Sequence, residues 1–251
     1  MKALSVALAN TVPCPPDEQT RWLVDAMHLG SASLPIGGFA YSQGLEQARE
    51  SGRINDRQQA ASWIHDGLIL ALARQELPYW LACYQTTQCA QWDRLAQLAT
   101  DLAALRETAE FRMEAEQMAY SLIQLAGDWL TEDASDTEHA CLKLPDDLRE
   151  LLCRSHTAAH AWLSARRGIP SQTGLTIYVW SWVEAQVAAA VKIVPLGQRD
   201  GQRLLHQARA WIDTAVRVAN NTPLEDAATA AFGLTILSAR HETQYSRLFR
   251  S

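Results

Sequence analysis

Ser42 stands in AYSQG, residues 40–44, one residue short of the Gly-x-Ser-x-Gly nucleophile elbow. That elbow needs an apolar strand before the serine and a helix after it. The preceding SLPIGGF holds a proline and two glycines and makes a poor strand. A serine hydrolase using Ser42 is therefore an alternative and not the first reading. Cys153, His156 and His160 are spaced by three and four residues, which would put them on one helix face. A thiolate with two imidazoles suits Zn²⁺ or Ni²⁺, so an independent metal-binding chaperone is a second alternative. No fourth ligand accompanies them, and the plainer reading is a surface face with an incidental histidine pair. HETQY, from His241, starts like a zinc-protease helix, but the second histidine is replaced by Tyr245. Glu107, Glu110, Glu114 and Glu116 crowd one helix, with Arg106 and Arg112 four residues before Glu110 and Glu116. Such pairs stabilise an exposed helix by about 0.2–0.5 kcal/mol each, so this reads as a solvated face and, second, as a partner-facing one. Paired Glu-x-x-His motifs for a di-iron site are absent, as is a Gly-x-x-x-x-Gly-Lys-Ser/Thr loop. The chain is not expected to hydrolyse nucleotide by itself.

The elements that must hold these residues are helical almost throughout. The 251 residues, 48% of them hydrophobic, suffice for one large domain or two small ones. The net charge is −6 and no long Lys/Arg block occurs, which argues against nucleic acid. Five cysteines with no Cys-x-x-Cys fit a reducing compartment, and hence the cytoplasm, better than a disulfide scaffold. Residues 1–17 faintly mimic a signal peptide but read as a flexible leader, with three prolines in TVPCPPDEQ.

Helical periodicity marks residues 18–29, 40–51, 56–75, 77–89, 92–104, 107–130, 146–168 and 198–221, with a last helix from Thr222-Pro223. Residues 131–140 form an acidic loop inside a single bundle domain spanning 18–239. The segment at about 173–194 carries only Glu184 and Lys192 as charges. It predicts a central helix buried on all sides of an all-α bundle, not a membrane span. Residues 240–251 form a tail rich in Arg, Tyr and Phe, the types that anchor interfaces. It binds a partner, folds back on its own bundle, or orders on binding.

Four stretches, LPIGGFAYSQGLE, RETAEFRMEAEQM, VEAQVAAAVKIVPLGQRDGQRLL and ARHETQYSRLF, in this order, resemble the urease accessory protein F (UreF) family over residues 22–251. The resemblance implies an all-helical, dimeric, non-enzymatic adaptor. Such an adaptor joins the accessory D/H protein and a nickel-carrying GTPase and helps deliver nickel to the urease apoprotein. Nickel and GTP would be handled by the partners, with no cofactor on this chain. It implies GTPase docking by Tyr41, Lys192 and the turn Val194, Pro195, Leu196, Gly197, Gln198. It implies D/H-protein contact by Arg240, His241, Tyr245, Arg247, Phe249 and Arg250. The uncharged loop then makes sense as a protein-facing surface, with Gly37 and Gly38 permitting close backbone approach and Phe39 and Tyr41 supplying contact area.

Overall fold

The computed structural model describes residues 18–132 and 144–251, apart from the side chains of 18 and 130–132. The leader at 1–17 and most of the acidic loop lie outside the described residues. The described residues form an all-α fold without a strand. Helix α1 (Glu18–Leu29) leads into the loop and a 3₁₀ turn (Gly38–Ala40), then α2 (Leu45–Glu50) and α3 (Arg57–Asp66). Asp56 caps α3, its side chain accepting from the Gln59 N–H at 2.8 Å, and Gly52 (φ +74°) closes α2.

From α3 the chain passes without a break through a π-helical stretch (Gly67–Glu76) into α4 (Leu77–Gln88). Pro78 lacks an N–H and its ring crowds the carbonyl four residues back. Widening the preceding turns relieves that crowding and sets Glu76 at the seam. Next come α5 (Trp92–Ala104), α6 (Ala109–Glu132), α7 (Asp146–Leu152), α8 (His156–Arg166), α9 (Ser171–Ile193), α10 (Gln198–Asn221) and α11 (Phe232–His241).

Helix α9 is central as its composition requires: it touches α1, α2, α3, α4, α8 and α10. Yet α8 is the more completely enclosed helix. Every residue from Thr157 to Ser164 is buried, against α4 on one side and α6 on the other. Its alanines let those neighbours come close. No described helix is long and apolar enough to cross a membrane.

Three boundaries depart from the periodicity. Residues 146–168 break into α7 and α8, because Ser155 turns extended and its side chain accepts from the Ala158 N–H to cap α8. The last helix begins at Phe232, not at Pro223. A 3₁₀ turn (Leu224–Asp226) and an extended run come first, with the Ala230 N–H donating to the Leu70 carbonyl at 2.8 Å. The helix expected over 40–51 begins only at Leu45, since the residues before it are committed to the loop.

Candidate partner-docking surface

The uncharged loop is built by two left-handed glycines. Gly37 (φ +83°) turns the chain into the 3₁₀ turn, and Gly44 (φ +77°) starts α2. Among the described residues no atom lies within 4 Å of where a Gly37 Cβ would sit, so within the chain it is the turn that requires glycine there. At Gly38 a Cβ would meet only the flexible end of Met118, at 3.3 Å. The tight approach is at Gly44, whose Cβ would stand 3.3 Å from the Ser238 backbone nitrogen. It lets α2 pack on α11.

Ser42 is fully buried, and its Oγ donates to the Ser251 carbonyl at 2.6 Å. The same oxygen accepts from the Glu46 N–H at 3.3 Å, opening α2. No strand precedes it and its hydroxyl faces no base, so the elbow required for hydrolysis is missing.

The tail folds back along this loop. The Arg250 N–H donates to the Ala40 carbonyl at 2.8 Å and the Ser42 N–H to the Ser251 carbonyl at 2.6 Å. Phe249 is buried, and its ring lies 5.4 Å from the Lys192 ammonium at the end of α9. Tyr41 is only 4% exposed. Burial raises its pKa, partly offset by a hydrogen bond from Arg250.

Three carboxylates receive the tail. Glu46 accepts the N–H groups of Leu248 (2.7 Å) and Phe249 (2.9 Å). Glu110 faces the buried His241 ring at 2.9 Å and accepts from Arg247 at 3.0 Å. Glu46 closes on the other His241 nitrogen at 3.3 Å. Glu114 accepts from the Ser251 hydroxyl at 3.1 Å and from Gln43 at 2.7 Å; Gln43 in turn accepts from the Trp182 indole at 2.7 Å. Burial pushes Glu114 up to about 7, against the hydrogen bonds of Gln43 and Ser251 and the charge of Arg106.

The solvated-face expectation is thus corrected for Glu110 and Glu114, which are buried, whereas Glu107 and Glu116 are exposed. Arg106 does not pair with Glu110. It forms a bidentate bridge to Glu76, at 2.6 and 2.7 Å, inside the bundle.

The sequence-derived candidates and their neighbours in the tail divide by side. His241 and Phe249 point inward, as does Ser251, and Tyr41 lies beneath the tail. Arg240, Tyr245, Arg247, Leu248 and Arg250 are exposed, Tyr245 completely. In the turn after α9, Val194 is buried while Pro195, Gly197 and Gln198 are exposed and Leu196 is half-buried. Periodicity did not single out Phe232 and Ile236, which are exposed on α11 four residues apart and in line with Arg240. The signal was present in that spacing, but the helix was placed from Pro223.

The metal candidates do not form a site. Cys153 closes α7, whereas His156 and His160 belong to α8 beyond the Ser155 break. The His160 Nδ1 accepts from the Trp80 indole N–H at 3.2 Å, so its proton sits on Nε2 and leaves no lone pair there for a metal. Burial depresses both histidines to about 3. Among the described residues no group of three or more His, Cys, Asp or Glu is placed to hold a metal ion.

The family model described as UreF matches residues 54–209, more than half of the chain. The chain belongs to the UreF family. The similar relatives include the urease accessory protein UreF of Pseudomonas fluorescens, 43% identical over 225 residues, covering 90% of this chain and 97% of that protein. The UreF of Cupriavidus pinatubonensis is 41% identical over 235 residues, covering 92% and 98%. The bifunctional urease accessory protein UreEF of Bordetella bronchiseptica is 39% identical over 248 residues, covering 97% of this chain but 55% of that longer protein. UreF proteins are urease accessory proteins, so this chain has its place in urease maturation. The turn after α9 falls within the residues that the family model matches, whereas the loop and the tail lie outside them.

Proposed function

We propose that the chain is a non-enzymatic adaptor in urease maturation, bridging the accessory D/H protein and the nickel-carrying GTPase and coupling GTP hydrolysis to nickel insertion into the urease apoprotein. One observation carries this reading. The loop around Tyr41, the end of α9 at Lys192 and the C-terminal tail form one continuous surface, joined through Arg250–Ala40, Ser251–Ser42 and Phe249–Lys192. A partner that grips the outward side chains of the tail would therefore set the loop and turn that a second partner meets. The apolar outward groups Phe232, Ile236, Tyr245 and Leu248 fit the D/H-protein side. Lys192, Pro195, Leu196, Gly197 and Gln198, with Tyr41 beneath, fit the GTPase side.

Nickel and GTP stay on the partners, and the adaptor works as a homodimer in the cytoplasm. The Bordetella UreEF protein, whose name joins two accessory functions, supports work beside other accessory proteins. The test is co-purification with the D/H protein and the GTPase, with masses measured by light scattering. Capture of both by the wild-type chain, and of neither by a chain carrying Tyr245→Ala with Leu248→Ala and Lys192→Ala, is the expected result.

A further inference from the structure

Between α6, α8, α9 and the 30–41 loop lies a cavity of about 90 Å³. Its polar wall is made by Glu76, Arg106, Glu114, His156, His160 and Gln186. Two buried nitrogens of residues on this wall, His156 Nε2 and His160 Nε2, have no hydrogen-bond partner among the described residues. His160 is 2% exposed, and an unmade hydrogen bond at such depth is costly, so the site is incomplete as the chain stands.

The chemistry of the missing group follows from the tautomer. With Nδ1 occupied by the Trp80 N–H, His160 offers a donor, not a lone pair, through Nε2. An acceptor oxygen must meet it. Glu114 and Gln186 line the same wall, and the Glu114 oxygens, which already accept from Gln43 and Ser251, each keep a further lone pair for a donor. The Glu76 charge is already matched by Arg106, both histidines are neutral and Glu114 is pushed up to about 7, so an anionic guest would meet no free cation and a cationic one would have only the half-buried Glu184 as a full counter-charge. Gly30, Ser31 and Phe39 at the loop form part of the lining and offer a way in.

We propose that this cavity binds a compact, uncharged molecule of the amide class, its carbonyl oxygen accepting from His160 Nε2–H and its N–H groups facing Glu114 and Gln186. The inference does not rest on the adaptor reading. The probe is acetamide, titrated to about 100 mM into the full chain labelled with ¹⁵N in its histidines and tryptophans, because so few heavy atoms support only weak binding. The expected result is a saturable shift of His160 Nε2 and of the Trp80 indole N–H, weakened at least about tenfold in Ala115→Leu, which fills the cavity. Ala185→Leu serves the same purpose if the first variant fails to fold by circular dichroism. Three results overturn the proposal: shifts that grow linearly without saturating, which leave the cavity to water; acetate or methylammonium binding as tightly as acetamide; and an undiminished titration in the filled variant.

Discussion

Two groups of buried carboxylates lie side by side in this molecule and are neutralised in different ways. Glu76 sits inside the bundle, clamped by the Arg106 guanidinium and by the hydroxyls of Thr157 and Tyr178. Burial alone would raise its pKa, but the Arg106 charge and these hydrogen bonds hold it below the usual carboxylate range. Glu46, Glu110 and Glu114 instead take their partners largely from residues 241–251, the last stretch of the sequence. The first cluster is closed by helices that cannot leave without unfolding. The second is closed by the last residues of the sequence, which also cover Tyr41 and the loop. Burying carboxylates under a single segment makes a surface whose exposure depends on that segment.

The largest expected contrast is in stability. Arg106→Met strands a buried Glu76 carboxylate and should cost about 3–5 kcal/mol in denaturant unfolding. Arg247→Ala, at a half-exposed position that leaves His241 on Glu110, should cost below about 1 kcal/mol. Equal losses would erase the distinction between the clusters.

Acid should sharpen the same comparison. His156 and His160, depressed to about 3, stay neutral in the fold but charge in the unfolded chain below about 6.5. Each therefore removes about 1.4 kcal/mol per pH unit as pH falls below that value. Glu114, raised to about 7, acts oppositely: the folded chain holds its proton and gains stability as pH falls from about 7 towards 4.5. Between about 6.5 and 4.5 the net loss is about 1.4 kcal/mol per unit. Glu114→Gln should steepen it to about 2.8, read as the slope of unfolding free energy against pH. Below about 4.5, protonation of Glu76 adds a further loss, because its lowered pKa stabilises the fold only while it is ionised.

Much of the bundle was legible because it rests on local pattern. The uninterrupted apolar run of α9, the Asp56 cap and the Gly52 stop each act within a few residues. Glu110 and Glu114 were misread because what buries them arrives from more than 130 residues away in sequence. Charged residues at helical spacing look solvated until a distant segment covers them. His156 and His160 resembled ligands for the same reason: the Trp80 indole that decides the tautomer is 80 residues distant. The loop and tail were both picked out by their chemistry, but their contact with each other has no local signature.

Smaller effects test the seam between tail and loop. Ser42→Ala removes one buried hydrogen bond to the Ser251 carbonyl and should cost about 1 kcal/mol. A serine hydrolase would instead lose acyl-probe labelling, which the wild-type chain should not show. Lys192→Met removes the contact with the Phe249 ring and should cost about 0.5 kcal/mol, while lowering GTPase capture in a pull-down.

The most direct measurement is co-purification by a chain ending at Thr243, which keeps α11 and His241 but lacks residues 244–251. Its far-UV circular dichroism should match the full chain, while capture of the D/H protein and of the GTPase should both be lost. A truncated chain that still captures both partners at wild-type levels would contradict the account.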